Sequence, residues 1–454
     1  MNEIQLTAEQ AGKNPLAQQF YMGSLLRFAL PTIFMMIFMG LYTIVDTIFV
    51  ARFVSTNALS SINIVCPIIN IIVGLGTMLA TGGSAIVAQK MGKKDEKGAC
   101  ESFTLIILAG LAVGLLITCI GLAFIEPIIR GLGASDFLFP YSRDYLTILL
   151  IFAPASMMQV LIQNFLVTAG KPGLGFWLVV AAGLTNALLD FIFIVLMQMG
   201  IGGAALATSM GYLIPVIIGS TFFYFNKNGS LYFCKIHFDM RILGEICFNG
   251  SSEMIGQLST AVTTFFFNIA MMKLLGEDGV AAITIIIYSQ FFLTTFFIGF
   301  SMGVAPIISY KYGSKDYRQL KRIFQICMTF ILVASLLVFL ITMAEGPSLV
   351  QIFSPKGTSV YEIARDGFLI FPIGFLFCGF NIFTSSMFTA LSNGKISAML
   401  SFLRTFGFIT IGLLILPVLY QVNGIWLAIP AAEILSLCVS IFFLFYYHRK
   451  YQYI

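Results

Sequence analysis

The sequence predicts an all-α, polytopic membrane protein in which twelve transmembrane helices form two pseudo-symmetric lobes of six helices each. Three observations predict this class: the apolar composition, the length of the apolar segments, and a repeat between the two halves of the chain. Hydrophobic residues make up 59% of the 454 residues and charged residues 10%, and the mean hydropathy is +0.95. Soluble domains have roughly 45–50% apolar and about 25% charged residues, so lipid must be the solvent of this chain.

The length of the apolar segments favours helices over a β-barrel. Backbone groups in lipid must pair internally, which allows only helices or closed barrels. Stretches such as 62–87 and 324–343 stay apolar for about 20 residues or more, the length of a helix that crosses a hydrocarbon core of about 30 Å. Barrel strands would instead appear as alternating segments of about 10 residues.

Charge clusters and Gly/Pro positions divide each half of the chain into six predicted spans. In chain order these are 25–51, 60–88, 101–124, 143–168, 173–197, 203–225, 248–272, 280–309, 323–344, 367–390, 397–420 and 425–446. We therefore predict an N-terminal lobe over 1–226, a cytoplasmic linker over 227–245 and a C-terminal lobe over 246–454. The eight cysteines lie singly, without a CxxC pair, so we expect reduced core side chains, no metal centre and no cofactor.

The distribution of Lys and Arg between the loops predicts the orientation. Eighteen of these residues, Lys13 among them, fall on one side of the predicted spans, and Arg404 falls within a span. The other side has six: Arg52, Arg130, Arg143, Lys273, Lys356 and Arg365. The positive-inside rule then places both termini in the cytoplasm. The net charge of +5 is explained by these loops rather than by nucleic-acid binding.

The two halves also repeat in sequence at a constant offset of 221 residues. Ile86–Asp95 matches Ile307–Asp316 in its Lys-x-Gly-x-Lys-Asp pattern, and Gly203-Ala-Ala-Leu-Ala207 lies opposite Gly424-Ile-Trp-Leu-Ala428. Because six spans is an even number, the two copies have the same orientation and are related by an axis along the membrane normal. Duplicated lobes of this kind suit a transporter that rocks one lobe against the other.

Charged residues within spans are the first candidates for function, since each costs about 2.5–3.5 kcal/mol at mid-membrane. They are Asp46, Asp190, Glu253, Arg404 and Glu433. Asn186 and Asp190 are spaced i, i+4 and therefore project from one helix face. A carboxylate beside an amide can ligate Na⁺ through oxygen, or it can hold a proton if burial disfavours the ionised form. Asp46 and Asp190 are therefore the leading candidates for function, the alternative being hydrogen bonds to neighbouring helices.

The remaining polar residues within spans allow both a structural and a functional interpretation. Asn164 and Thr208 suit interhelical contacts as well as function. Glu253 lies near the start of a span, and Gln257, one turn on, extends a polar face that can contact substrate. Arg404 and Glu433 are interpreted as a structural pair or as interface residues. Pro31 removes a hydrogen bond from the first span and permits it to bend.

The motifs taken together resemble one family. Val45-Asp46-Thr47, Asn186-x-x-x-Asp190, the stretch Met199–Thr208 and Pro306-Ile-Ile-Ser-Tyr310-Lys-Tyr-Gly313 resemble the multidrug and toxic compound extrusion (MATE) transporters over essentially the whole chain. Ser252-Glu253 and Pro306–Gly313 are similar to the bacterial branch that includes the MepA-like pumps.

This resemblance implies a cation-coupled antiporter that exports small organic cations or drugs, driven by inward H⁺ or Na⁺. It implies a multi-pass protein of the bacterial cytoplasmic (inner) membrane, surrounded by lipid and acting as a monomer. The family's coupling site matches the N-lobe residues Asp46, Asn164, Asn186, Asp190 and Thr208. Asp46, Asn186 and Asp190 would ligate the metal if the ion is Na⁺. Glu253, Gln257 and Asn268 form a candidate substrate or secondary site.

Two departures from the family pattern bear on these expectations. Val167 stands where many members have an Arg, and no carboxylate lies between Phe368 and Ala390 in the tenth span. Members with an acidic site in the C lobe would have a carboxylate in that span, so we place the coupling in the N lobe.

Two alternatives remain at this level. A flippase for a lipid-linked or polysaccharide precursor would need a strongly basic central cavity, whereas Arg404 is the one basic residue clearly within a span. A membrane-embedded enzyme is disfavoured because the chain has only His237 and His448, without an HExxH or DDxxD motif.

Overall fold

The computed structural model describes residues 14–227, 229–236 and 238–453, and the secondary structure of this part of the chain is helical throughout. The predicted cytoplasmic segment 1–13, with Lys13, and His237 in the predicted linker lie outside the described residues. The N-lobe helices are α1 Met22–Val54, α2 Thr56–Gly92, α3 Glu96–Ala123, α4 Phe139–Ile151 with Ala153–Thr168, α5 Pro172–Leu196 and α6 Gly200–Phe225. The C-lobe helices are α7 240–275, α8 277–313, α9 Tyr317–Phe353, α10 Ser359–Ala390, α11 Gly394–Tyr420 and α12 Val422–Tyr451.

Helix length within the described residues gives the number of spans. Ten continuous helices are long and apolar enough to cross a membrane, and α4, bent by 53° between its two pieces, is an eleventh span. The helix Met240–Gly313 has 74 residues, about 110 Å at 1.5 Å per residue, which is far too long for one crossing. It breaks at Gly276, whose φ of 66° favours glycine. It therefore forms the hairpin of α7 and α8, and the predicted twelve-helix, all-α membrane fold is confirmed.

The sequence repeat is also visible in the backbone. Lys94 and Lys315, which are 221 residues apart, both have a positive φ, 64° and 58°. Each is followed by an aspartate, Asp95 or Asp316, that caps the next helix by accepting a hydrogen bond from a backbone N–H three residues on. The same turn therefore leads from α2 into α3 and from α8 into α9.

The two lobes meet along α1 and α2 on one side and α7 and α8 on the other. Glycines bring these backbones together at the end of the molecule predicted to be cytoplasmic. A Cβ on Gly82 of α2 would overlap the carbonyl oxygen of Ile246, and one on Gly250 of α7 would overlap that of Met78. Gly92 and Gly313 approach the opposite lobe in the same way. This glycine seam closes the space between the lobes at the end predicted to be cytoplasmic.

The segment before α1 lies across the same end of the molecule and contacts both lobes. On the N lobe, Pro15 packs against Gly170 in the turn between α4 and α5. On the C lobe, Lys311 Nζ donates to the carbonyl oxygen of Ala17 over 3.1 Å, and the backbone N–H of Phe20 donates to Gln319 Oε1 over 3.1 Å. The segment therefore adds polar contacts between the lobes to the backbone packing of the glycine seam.

The observed helices extend past the predicted spans, since α2 covers 56–92 rather than 60–88 and α9 covers 317–353 rather than 323–344. Polar turns continue these helices beyond the hydrocarbon core, so hydropathy alone sets the boundaries too far inside. The α-helix of α1 is continuous through Pro31. The bending of α1 at Pro31 stays a prediction.

The glycine seam generates a first prediction. Gly250→Val adds side-chain atoms where backbone atoms of α2 already touch, and overpacking of this kind costs about 1–3 kcal/mol. We expect the population with the cytoplasmic ends apart to rise by about tenfold or more. Double electron–electron resonance distances between spin labels at exposed positions 97 and 321, one on each lobe, measure this separation.

The matched control is Gly244→Val on the same helix, because nothing lies within 4 Å of a Cβ at that position. An unchanged distance distribution for Gly250→Val would show that the seam does not hold the closed state.

A candidate cation site in the N-terminal lobe

Two aspartates from different helices define the centre of the candidate site. Asp46 lies on α1 shortly before its α-helix gives way to a π-helical turn at Val50–Val54. Asp190 ends the α-helical part of α5, and a π-helical turn follows at Phe191–Leu196. Single π-turns within helices frequently occur at functional sites because they change which side chains face inward.

The two carboxyl groups are close enough to interact directly. Asp190 is 1% exposed. Oδ1 of Asp46 and both carboxylate oxygens of Asp190 are buried and receive no hydrogen bond from the described residues. Buried polar atoms are nearly always hydrogen-bonded, and two ionised carboxylates have no donor to offer each other. The arrangement therefore lacks one positive partner, which either a proton shared between the oxygens or a bound metal cation would supply.

The wall around the two aspartates is polar and aromatic. The side chain of Tyr42, one turn before Asp46, lies beside Gln159 of α4, whose Oε1 is also buried without a donor. Tyr145 and Tyr212 lie within electrostatic range of Asp46. The unpartnered carboxylate and amide oxygens are of the type that hard cations prefer.

Asn186 and Thr208 join the same region from α5 and α6. Asn186 is 4% exposed, and its Nδ2 donates to Thr208 Oγ1 over 3.4 Å. Gly211 lets α6 approach closely, because a Cβ there would lie 3.4 Å from the Cβ of Asn186. Since Asn186 lies one helical turn before Asp190, the amide and the carboxylate face the same side of α5.

Asn164 lies in different surroundings from the other four residues matched by the family resemblance. Its Nδ2 donates to the carbonyl oxygen of Val160 in its own helix. It is five residues beyond Gln159, about 140° around α4, and faces the boundary between the lobes. There it shares a cavity of about 30 Å³ with Glu253, Thr81 and Thr389, enough room for one or two waters. The structure thus groups Asn164 with Glu253 rather than with Asp190.

The other candidate residues of α7 are spread along the helix. Gln257 packs against Gly74 of α2, with its Cβ 3.4 Å from where a Cβ on that glycine would lie. Asn268, nearly three turns further on, has a buried Oδ1 without a donor. Glu253, Gln257 and Asn268 therefore do not form one cluster.

The charged pair of the C lobe is fully engaged. Arg404 Nε donates to both oxygens of Glu433, over 2.9 Å to Oε1 and 3.1 Å to Oε2. Asn381 Nδ2 donates to Glu433 Oε2 over 2.7 Å, and Ser440 Oγ donates to Asn381 Oδ1 over 3.0 Å. The structural pairing favoured for Arg404 and Glu433 on sequence grounds is present.

Sequence reasoning did not single out Gln159, Tyr145 or Tyr212. Tyrosine and glutamine carry no formal charge, so they gave no membrane-cost signal comparable to that of the aspartates. The signal that could have found Gln159 is a second glutamine, Gln163, one turn further along the same span.

The comparisons with known proteins agree with this architecture. The MatE family model matches residues 31–192 and 254–414, which is more than half of the chain. The chain belongs to the MatE family. The match spans both lobes and includes Asp46, Asp190 and Arg404, so the predicted resemblance to MATE transporters is confirmed. The family consists of membrane transporters, and the expectation that the protein is not an enzyme is confirmed as well.

Relatives and solved structures give the same result. The multidrug export protein MepA of Staphylococcus saprophyticus is 24% identical over 413 residues, covering 88% of this chain and 87% of the relative. A MATE structure in a straight conformation superposes with a TM-score of 0.90 at 20% identity, over 97% of both chains. An outward-facing multidrug resistance MATE family transporter gives 0.88 at 21% identity, over 94% of this chain and 96% of that one.

The amide of Asn186 generates the prediction for this site. Asn186→Leu keeps a similar volume but removes an oxygen beside Asp190, so we expect the apparent cation affinity to fall about tenfold, roughly 1.4 kcal/mol. Trp177 lies on the same helix and is 64% exposed. In a Trp426→Phe background, where Trp177 is the sole tryptophan, its fluorescence during Na⁺ and pH titrations of the purified protein reports the affinity.

Asn423→Leu is the control, since this exposed amide lies at the opposite lobe's outer end. If Asn186→Leu and Asn423→Leu titrate alike, the Asn186 amide contributes nothing to cation binding.

Proposed function

We propose that the protein is a cation-coupled multidrug antiporter that exports organic cations by alternating access. The observation that carries this proposal is the pair Asp46 and Asp190, whose buried oxygens lack hydrogen-bond donors. A buried acid pair that needs one positive partner can exchange a coupling cation for a cationic substrate. Family membership supports transport, and the name of the staphylococcal relatives supports multidrug export.

The glycine seam supports alternating access with this conformation closed towards the cytoplasm. Backbone contacts between α2 and α7 and between α1 and α8 join the lobes at one end, so any route between the lobes opens at the other end. Rocking one lobe against the other would break these contacts and open the cytoplasmic side. The likeness to an outward-facing MATE transporter supports the same assignment of state.

The order of events follows from charge. An organic cation that enters from the cytoplasm is attracted by the uncompensated negative charge of the N lobe. When H⁺ or Na⁺ arrives from outside at Asp46 and Asp190, that charge is neutralised and the attraction for the substrate falls. The drug then leaves outward, and the coupling cation moves inward down its own gradient.

The coupling ion is H⁺ or Na⁺, and the site has chemistry for both. Asp46, Asn186, Asp190 and Thr208 would ligate Na⁺ through oxygen, whereas Asp46 and Asp190 alone would hold the proton. Glu253, with Asn164 in the cavity between the lobes, is proposed as a secondary site. Gln257 and Asn268 are proposed as substrate contacts further along α7.

The proposed substrate class rests on the residue composition as well as on the names of the relatives. The chain has 46 Phe and 21 Met. Aromatic faces attract organic cations, and flexible thioethers adapt to different shapes. We propose that the transporter acts as a monomer in the bacterial cytoplasmic membrane with both termini inside. The flippase alternative gains no support, because the guanidinium of Arg404 is already paired with Glu433.

The coupling proposal predicts the behaviour of reconstituted protein. In proteoliposomes with a proton gradient and a Na⁺ gradient imposed separately, one of the two should drive export of a fluorescent organic cation. Asp190→Asn and Asp46→Asn should each reduce that coupled export at least about a hundredfold, since the buried carboxylate is lost while the fold is kept.

Asp278→Asn, an exposed acid at the outer end of α8, is the control and should export normally. Full gradient-driven export by Asp190→Asn would contradict coupling at this site.

A further inference from the structure

We propose that Arg404 is a built-in cation of the C lobe. It keeps Glu433 permanently compensated, so that Glu433 adds no second coupling site to the pair in the N lobe. This inference rests on the proposed function, because it takes the Asp46 and Asp190 pair as the responsive site. It concerns the number of cations that each transport cycle uses.

The Arg404–Glu433 pair has a defined position in the sequence repeat. The offset of 221 places Glu433 opposite Tyr212 and Arg404 opposite Gly183. In the N lobe, Tyr212 lies within electrostatic range of Asp46, and a Cβ on Gly183 would lie 3.2 Å from the ring of Tyr42. The ion pair therefore lies in the C-lobe equivalent of the wall around the N-lobe site.

Glu433 and Asp190 differ in the hydrogen bonds that their carboxylates accept. Glu433 is 4% exposed and accepts hydrogen bonds from the Arg404 guanidinium and the Asn381 amide. Asp190 is as deeply buried but accepts none from the described residues. Each lobe thus has a buried carboxylate with an amide side chain nearby, Asn381 or Asn186. Of these two carboxylates, only Glu433 is paired with a positively charged side chain among the described residues, that of Arg404.

The charge on Glu433 is compensated within the C lobe itself. The Cys378 thiol of α10 lies within electrostatic range of both Arg404 of α11 and Glu433 of α12. Arg404 stays protonated at any physiological pH, so it compensates Glu433 under all the conditions in which the transporter works. The Glu433 position is then insensitive to H⁺ and Na⁺, unlike the pair Asp46 and Asp190.

Removal of the Arg404 guanidinium would leave Glu433 without its positive partner. Arg404→Gln leaves Glu433 buried beside the Asn381 amide, which reproduces the oxygen chemistry of Asp190 and Asn186. An uncompensated buried carboxylate takes up a proton or binds a cation. Arg404→Gln should therefore create a cation-responsive site in the C lobe.

The two native tryptophans allow each lobe to be followed separately. Trp426 lies on α12 with Glu433, and Trp177 lies on α5 with Asp190. Trp177→Phe removes the N-lobe reporter at an exposed position, so Trp426 becomes the sole tryptophan. Asp46→Asn with Asp190→Asn silences the N-lobe site in the same background.

In this triple variant we expect Trp426 emission not to respond to Na⁺ or to pH between 5 and 8, about the range that physiological coupling uses. Adding Arg404→Gln should produce a saturable response, and adding Glu433→Gln as well should abolish it. No response with Arg404→Gln, or a response that survives Glu433→Gln, overturns the proposal.

The double variant Arg404→Gln/Glu433→Gln, which removes both charges and leaves neither unpaired, keeps the proposal testable if Arg404→Gln does not fold. In an otherwise wild-type chain, the number of cations moved per drug in proteoliposomes should stay the same, because Glu433 takes no part in coupling. A lower number overturns the proposal. Failure of the proposed function shows separately, as gradient-driven export by Asp46→Asn/Asp190→Asn with Arg404 intact.

Discussion

Two carboxylates that face each other inside an apolar lobe impose the central constraint on this protein. Asp46 and Asp190 come from helices that are far apart in sequence, and three of their four oxygens are buried without a donor. Both charges together are unfavourable in such surroundings unless a cation lies between them. Binding of a cation at this pair therefore lowers the electrostatic energy of the N lobe, so we expect this lobe to respond to an ion gradient.

Through α1, cation binding at this pair can affect the contacts between the two lobes. The helix that contains Asp46 also packs against α8, where a Cβ on Gly299 would lie 2.7 Å from Cα of Ile33. We expect a shift of α1 at its acidic end to act on the interface that closes the end of the molecule predicted to be cytoplasmic. Backbone packed this tightly does not deform by small amounts, so the lobes either stay in contact or separate.

The sequence supported the membrane fold and the repeat well because both depend on patterns along the chain. Apolar length identified each span, and the shared offset linked Lys94 with Lys315. The orientation given by the excess of Lys and Arg on one side stays a prediction. Asp46 and Asp190 were also predictable, since a carboxylate within a span stands out. The placement of Asn164 was not, because its direction depends on the rotation of α4 about its axis. The hydrogen bonds that Asn381 makes with Glu433 and Ser440 likewise depend on the packing of α10 against α12.

The two lobes share one architecture but treat charge differently. Arg404 compensates Glu433 in the C lobe, whereas we propose that Asp46 and Asp190 in the N lobe take up an exchangeable cation. The most direct test of this account is displacement of a fluorescent organic cation bound to the purified transporter, as Na⁺ is added or the pH is lowered. The account predicts saturable release from the wild-type protein and none from Asp46→Asn/Asp190→Asn. Release from that double variant with the wild-type cation dependence would contradict it.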